Sequence, residues 1–210
     1  MWIDCHCHTR HSNDNWLEPG DFVRRAKALG LDGVVVTEHH SVEASEPVER
    51  LGREEGLFVL RGVEISTDRG HLLAFGLADD GWNIWGRNNY IPLVELIARV
   101  NELGGICVPA HPFRNIGLSN LREGLLDAPG IAAIETHNGG NLFDDNERAI
   151  QAAARMGLPS LGGSDCHKQE AVGRCATEFL RPVTDLASFL GAVRDGACRG
   201  AYFPGYRQEQ

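Results

Sequence analysis

The feature that most restricts the fold is a pair of alternating histidines near the start of the chain, within Ile3-Asp4-Cys5-His6-Cys7-His8-Thr9. Successive side chains of a β-strand point to opposite faces, so His6 and His8 project from one face and are placed to bind one metal ion. Such a pair is a weak signal by itself. Its weight depends on whether later segments of the chain supply matching ligands.

Later segments do supply them, and nearly every one lies at the end of a short apolar run. In chain order they are Glu38, His39, His40, Glu64, His71, His111, Glu135, His137, Asp165 and His167. Together with His6 and His8, this series contains eight of the nine histidines in the chain, which indicates one shared site.

Alternation and short β-branched runs predict seven strands, and amphipathic stretches predict helices between them. The predicted strands are 2–7, 33–37, 57–65, 71–76, 106–109, 131–135 and 160–163, with an edge strand at 177–180. The predicted helices are 19–29, 45–55, 92–103, 144–156 and 185–193. Only residues 66–70 separate the third and fourth strands, so these two should pair as a hairpin that brings His71 close to Glu64.

Candidate ligands at the carboxyl ends of successive strands are typical of a (β/α) barrel with its site on one face. We therefore predict an α/β fold, a distorted (β/α)7 TIM-like barrel with a metal site at the carboxyl ends of the strands. At 210 residues the chain should form a single domain over residues 1–210.

Composition limits the environment and the partners. The 42% apolar content is typical of a soluble protein, and no apolar run is long enough for a membrane span, so we expect a cytoplasmic protein without a membrane partner. A net charge of -9 disfavours a groove for duplex nucleic acid. The six cysteines form no CxxC pair and are expected to be reduced and packed in the core; the oligomeric state stays open.

Five ordered motifs carry a family resemblance: D-x-H-x-H-T at the start, then T-E-H-H, G-V-E-I-S, A-H-P and G-S-D-C-H. With these motifs the chain resembles the PHP (polymerase and histidinol phosphatase) superfamily of metal-dependent phosphoesterases, from residue 2 to about residue 180. The resemblance implies a distorted seven-stranded barrel with two to three divalent ions, which the ligand types would allow to be zinc, manganese or iron.

The resemblance also implies how the ligands are shared. One ion would be held by His6, His8, Glu64 and Asp165, and Glu64 would bridge to a second ion bound by His71 and His111. The third ion would take His39, His167 and a side chain from the loop after His8. Asn13 occupies the position that is commonly aspartate, so we predict that the neighbouring Asp14 is the ligand.

Further roles are predicted around these ligands. Asp4 and Glu38 would orient ligand histidines, and His40 would be the general acid for the leaving group. Arg114, Lys168 and Arg174 would neutralise a phosphate, while His137 and Asn138 would line the substrate pocket. The aromatic residues of the loop 81–90 either pack on the barrel wall or stack on a substrate base.

The predicted activity is hydrolysis of a phosphate monoester, or of a phosphate bond in a small nucleotide or a short oligonucleotide end, by a metal-activated hydroxide. Two alternatives remain. An amidohydrolase-like enzyme that cleaves C–N or C–O bonds generally bridges its metals with a carboxylated lysine, and neither Lys27 nor Lys168 is suitably placed. A non-catalytic module would use the metals only for stability or for binding a partner.

Overall fold

The computed structural model describes residues 1–86, 90–114, 124 and 128–206, and within them the chain alternates strands and helices. The strands are β1 (Trp2–Cys7), β2 (Gly33–Val36), β3 (Phe58–Thr67), β4 (Gly70–Phe75), β5 (Ile106–Pro109), β6 (Ile134–Asn138), β7 (Ser160–Gly163), β8 (Cys175–Phe179) and β9 (Cys198–Tyr202). The α-helices are α1 (Pro19–Ala28), α2 (Glu46–Glu55), α3 (Leu93–Glu102), α4 (Phe143–Met156) and α5 (Leu186–Arg194).

Seven strands form one mixed sheet in the order β5-β4-β3-β2-β1-β8-β9. Strands β1, β2 and β3 are parallel, as expected for strands joined by crossover helices. Strands β3 and β4 form the predicted antiparallel hairpin, in which Ser66 pairs with His71. The carboxyl ends of the parallel strands β1, β2 and β3 therefore lie beside the start of β4, at one end of the strands.

The other two strands, β6 and β7, form a parallel pair that packs across the sheet. The Ala132 amide donates to the carbonyl of Cys107 in β5, and the Gly162 amide donates to Thr177 Oγ1 on β8. Gly163 allows β7 to approach β1 closely, because a Cβ at this position would lie 2.3 Å from the Cβ of His6. This close approach of β7 to β1 brings the residues after β7 next to His6 and His8.

The mixed α/β fold with a curled seven-stranded sheet is confirmed, but several details differ from the predictions. The sixth strand begins at Ile134 rather than at residue 131, because its ladder with β7 begins with the Ile134–Ser160 pair. The sequence Cys198–Tyr202 was not predicted as a strand, since it carries little apolar alternation and is ordered by pairing with β8.

The loop after β4 decides, for Trp82, between packing on the barrel wall and stacking on a substrate base. Asp80–Trp82 forms a 3-10 turn, and Trp82 is buried in the apolar core with 1% exposure, so it is not available to stack on a base. Residues 87–89 of the same predicted loop lie outside the described residues.

The core is formed by apolar side chains of the sheet and of the helices that pack against it, including Phe22 of α1, Phe75 of β4 and Phe189 of α5. Burial of each such side chain contributes about 1.5–3 kcal/mol, which holds the helices against the sheet. None of the helices in the described part of the chain has the length and apolar character to cross a bilayer.

Candidate metal centre

The predicted ligand residues converge at the edge where β1, β2, β3 and the residues after β5 and β7 meet. His6 is the penultimate residue of β1 and His8 follows the strand, while Glu64 lies on β3 and His71 on β4. The Asp165 amide donates to the His6 carbonyl at 2.7 Å, which fixes the segment after β7 beside β1. A backbone bridge between His39 and Glu64 brings the segment after β2 to the same place.

The first group of side chains surrounds a point between His6 and His8. Their Nε2 atoms lie 3.0 Å apart. Glu64 Oε2 lies 3.3 and 3.1 Å from these two nitrogens, and Asp165 Oδ1 lies 3.5 and 3.4 Å from them. All four side chains are almost fully buried.

The opposite ring nitrogens of these histidines determine which atom faces that point. His6 Nδ1 lies 2.8 Å from Glu135 Oε1, and a carboxylate can only accept, so Nδ1 carries the proton. His8 Nδ1 lies 2.9 Å from Ser12 Oγ, whose hydroxyl donates to Glu38. Since Nδ1 of each ring is occupied by these partners, the two Nε2 atoms are the ones that face each other.

The second group uses the other oxygen of the same glutamate. Glu64 Oε1 lies 2.8 Å from His71 Nδ1 and 2.9 Å from His111 Nε2. One carboxylate thus contacts both groups, which is the arrangement of a bridging ligand.

The third group is more exposed and lies around Asp14. Its Oδ2 atom is 3.1 Å from His39 Nε2 and 2.9 Å from His167 Nε2, and His8 is close enough to His39 and His167 to share this group. Asn13 instead has a left-handed backbone with φ of 66° and donates its side-chain amide to the His11 carbonyl. The structure therefore brings Asp14, and not Asn13, to the site.

The protonation of the buried groups reflects their mutual proximity. Burial opposes the charge of His6, but the carboxylates of Glu135, Asp165 and Glu64 raise its pKa well above the ordinary value. Burial likewise opposes the charge of His8, while hydrogen bonds to Asp165 and Glu64 raise its pKa to about 10. The pKa values of Glu64 and Asp165 are lowered despite burial, mainly by His6 and, for Asp165, also by His8 and Arg114.

These residues fit a group of divalent ions on the chemistry and spacing of the donor set. A metal bonded at about 2.1 Å to tetrahedral ligands places those ligands roughly 3.4 Å apart. The two Nε2 atoms of the first group lie 3.0 Å apart, and each carboxylate oxygen lies 3.1–3.5 Å from both of them; such facing acceptor atoms repel unless a cation or protons lie between them. Mixed imidazole and carboxylate ligands are compatible with zinc, manganese or iron.

The backbone at the site is strained. Four non-glycine residues of the described chain have positive φ, and three of them are His40, His111 and Asp165, at 59°, 31° and 51°. Each such conformation costs of order 1–3 kcal/mol and persists only where the surroundings enforce it. This concentration at the cluster supports a functional role for its geometry.

Asp165 is held on its outer side by a hydrogen-bonded network. Arg114 Nη2 donates to Asp165 Oδ2 and to Asn138 Oδ1, both at 2.6 Å, and Arg114 Nε donates to Asn141 Oδ1 at 2.9 Å. Asn138 Nδ2 in turn lies 3.2 Å from Asp165 Oδ2. Arg114 and Asn138, predicted as phosphate and pocket residues, therefore contact and position the carboxylate of Asp165, a candidate ligand, in this structure.

The predicted orienting carboxylates act on different partners. Glu38 accepts from Thr9 and from Ser12, so it reaches His8 through the serine hydroxyl. Asp4 accepts from the amides of Ser164 and Gly173 at 2.7 and 3.2 Å, and therefore positions backbone rather than an imidazole ring.

His40 lies at the margin of the cluster. Its Nε2 atom is 3.2 Å from Ser66 Oγ, and its amide donates to the Glu64 carbonyl. Burial, with the nearby charges of His39 and His71, lowers the pKa of His40.

Two predicted substrate-binding residues, His137 and Arg174, are not brought to the cluster, and a third, Lys168, lies at its margin. His137 packs edge-on against Tyr202 with ring centroids 5.3 Å apart, because a register shift between Glu135 and His137 turns its side chain away. Arg174 donates to Tyr206 Oη and the Gly139 carbonyl in a separate cavity. Lys168 is exposed and lines a cavity beside His167.

Two residues have positioning roles that the sequence analysis did not assign: Ser12, which it did not single out, and Glu135, which it included in the ligand series. Ser12 orients His8, and Glu135 orients His6 while also accepting from the His111 amide at 2.6 Å. The place of Glu135 at the end of a predicted strand put it in the ligand series but did not indicate that it would contact an imidazole rather than a metal ion. Ser12 offered no signal beyond its closeness to His8 in the sequence.

The sequence profile of the PHP domain matches residues 4–116, and that of the PHP-associated region matches residues 143–198. The chain belongs to the PHP domain family. The predicted family is thereby confirmed, and members of this family are generally metal-dependent hydrolases.

Two relatives illustrate how far the sequence similarity extends. Uncharacterized protein MJ1587 of Methanocaldococcus jannaschii is 28% identical over 130 residues, which are 55% of this chain and 70% of the relative. A 5'-3' exoribonuclease of Haemophilus influenzae is 35% identical over 65 residues, which are 31% of this chain and 23% of that enzyme.

Solved structures share the fold at low sequence identity. PsfC from Pseudomonas syringae has a TM-score of 0.73 at 18% identity, covering 97% of this chain and 91% of its own. A candidate metal-dependent phosphoesterase of Bifidobacterium adolescentis has a TM-score of 0.63 at 23% identity, covering 80% and 88%. The lesion-specific endonuclease Q of Pyrococcus furiosus has a TM-score of 0.69 at 20% identity, covering 95% of this chain and 57% of its own.

Proposed function

We propose that this chain is a metal-dependent phosphoesterase that hydrolyses a phosphate monoester or a nucleotide phosphate. The proposal extends to two or three ions held at the carboxyl-end edge of a distorted barrel, which β6 and β7 complete, and to one domain over residues 1–210. The assignment of zinc, manganese or iron stays part of the proposal.

One observation carries the proposal: both oxygens of Glu64 face histidine groups, Oε2 toward His6 and His8 and Oε1 toward His71 and His111. A bridging carboxylate sets two ions close together, which is the arrangement used for displacement at phosphorus. Bound ions would supply a hydroxide nucleophile at neutral pH and charge for the phosphate oxygens.

The residues of the chain would then prepare that chemistry. Glu135 and Ser12 hold the imidazoles of His6 and His8 with Nε2 inward, and Arg114 with Asn138 fixes the free oxygen of Asp165. This preorganisation removes motion that would otherwise have to be restricted during the reaction.

We further propose His40 as the proton donor to the leaving group. Its ring is half-buried beside His39 and His71 but lies outside the three groups of converging atoms. A histidine that binds no ion keeps a nitrogen for proton transfer.

Nucleotides and oligonucleotide ends are the favoured substrates within this class. Two similar proteins are nucleases by name, an exoribonuclease and endonuclease Q, and the latter has been solved with a 27-mer duplex. The amidohydrolase alternative has the support of a similar structure from Chromobacterium violaceum, named as an amidohydrolase. It lacks a bridging lysine here, since Lys27 donates to the Glu55 carbonyl on the surface and Lys168 is exposed.

The test is release of inorganic phosphate from a panel of phosphomonoesters and nucleotides by protein loaded with zinc, manganese or iron(II). Glu64→Gln should abolish release, whereas Glu178→Gln, at a surface pair with Arg199, should leave it unchanged. Metal-loaded protein that hydrolyses amides but no phosphoester would refute the proposal in favour of the amidohydrolase alternative.

A further inference from the structure

Trp16 is the most exposed large apolar side chain in the described part of the chain, with 89% of its surface accessible. Surface aromatic residues are usually at least half covered, because their apolar area is large. Trp16 follows Asp14 by two residues, and Asp14 is the carboxylate between His39 and His167. The exposed indole is thus at the rim of the candidate metal centre.

The backbone on both sides of Trp16 is fixed, so the exposure does not come from a loose loop. Asn15 is buried, donates its side-chain amide to the Thr9 carbonyl at 2.9 Å, and accepts from the Leu17 amide at 3.0 Å. Leu17 is also buried, and its carbonyl accepts from the Arg10 amide. Two anchored neighbours therefore hold the indole outward.

Space for a ligand lies against the indole. Trp16 lines two cavities that share it and Asp14, one of about 440 Å³ with His167 and Lys168 in its wall, and one of about 320 Å³ with Arg10 in its wall. The larger cavity is within the range of small-molecule sites and opens directly beside two candidate ligands.

Four carboxylates line the larger cavity, and three of them contact cationic or imidazole partners. Glu18 pairs with Arg10 at 2.7 Å, Asp21 pairs with Arg24 at 2.6 Å, and Asp14 contacts His39 and His167, while Glu170 is exposed in the wall. Lys168 adds a cation on the side of His167. A nucleotide whose base stacks on Trp16 would therefore have its phosphate directed toward the metal centre and toward Lys168.

We infer that Trp16 is a stacking platform for the base adjacent to the scissile phosphate, so that the substrate is a nucleotide or a single-stranded oligonucleotide end. This inference rests on the proposed phosphoesterase function and narrows its substrate class. Stacking on an aromatic side chain tolerates any base, so discrimination between bases is not expected from this residue.

The first experiment compares kcat/KM for adenosine 5'-monophosphate and for glycerol 3-phosphate, which has no ring. Trp16→Ala should lower the nucleotide value by about 5- to 150-fold, equivalent to about 1–3 kcal/mol per stacked base, and leave the glycerol phosphate value unchanged. Trp16→Phe should restore most of the loss. Leu180→Ala removes an exposed apolar side chain after β8, at the opposite edge of the sheet, and should affect neither substrate.

Equal losses on both substrates, or no loss on the nucleotide, would overturn the inference while leaving the phosphoesterase function in place. A second measurement, which does not depend on turnover, tests the stacking role if the wild-type protein hydrolyses neither of these two substrates. Titration with thymidine tetranucleotide should quench the fluorescence of wild-type protein and not that of Trp16→Phe, and equal quenching or none in both would overturn the stacking role.

Discussion

Replacement of Glu135 by glutamine tests how the chain controls the tautomer of a ligand histidine. Glu135 Oε1 accepts from His6 Nδ1 at 2.8 Å, and Oε2 accepts from the His111 amide at 2.6 Å and from Asn138 Nδ2 at 3.0 Å. Glutamine has one acceptor and one donor end. The two donors at the Oε2 position require the amide oxygen there, so the amide NH2 must face His6.

A donor facing Nδ1 would force the proton of His6 onto Nε2, into the position between His6, His8, Glu64 and Asp165. The Glu135–His6 contact is buried and charge-assisted, and removal of such an orienting partner typically costs 10- to 100-fold in metal affinity, or about 1.4–2.8 kcal/mol. We therefore expect Glu135→Gln to weaken metal binding by about 10- to 100-fold.

Metal affinity is measured by competition with a chelator of known affinity, with circular dichroism as a check that the metal-free variant is folded. Glu178→Gln is the matched control, since its carboxylate pairs with Arg199 on β8 and β9. If a folded Glu135→Gln protein binds metal as tightly as the wild type, the tautomer argument is refuted.

Three further predictions follow from particular contacts. Ser12→Ala removes the acceptor of His8 Nδ1 and should lower metal affinity about 10-fold or more in the same chelator assay, and wild-type affinity would refute the Ser12 relay. Gly163→Ala places a methyl group 2.3 Å from His6 Cβ and should destabilise the fold by at least about 1–3 kcal/mol in urea unfolding, whereas an unchanged midpoint would contradict the close crossing. All six cysteines are buried, and burial raises the pKa of the Cys198 thiol to about 11, so native protein should react with a thiol reagent at pH 8 only after unfolding; rapid labelling would contradict this packing.

Most of the site could be predicted from the sequence because its residues follow short apolar runs at the ends of strands. The hairpin between β3 and β4 is an example, since five intervening residues permit only antiparallel pairing, and the structure places His71 Nδ1 2.8 Å from Glu64. The family motifs extended that prediction to the sharing of ligands between groups.

What could not be predicted depends on register and on contacts between distant segments. A strict alternation of β6 would place His137 on the same face as Glu135, but the register shift between them turns His137 toward Tyr202. Arg114 has the charge of a phosphate-binding residue, yet only the packing of β7 across the sheet shows that it contacts Asp165. No local pattern contains such information.

The central claim is that the converging imidazoles and carboxylates form a metal centre bridged by Glu64. Its most direct test is an anomalous difference map at the manganese absorption edge, from crystals of the whole chain grown with Mn²⁺. We expect one peak among His6, His8, Glu64 and Asp165 and a second beside His71 and His111, each at about 2.0–2.2 Å from its ligand atoms. Crystals saturated with Mn²⁺ that show no peak within reach of Glu64 would contradict the claim.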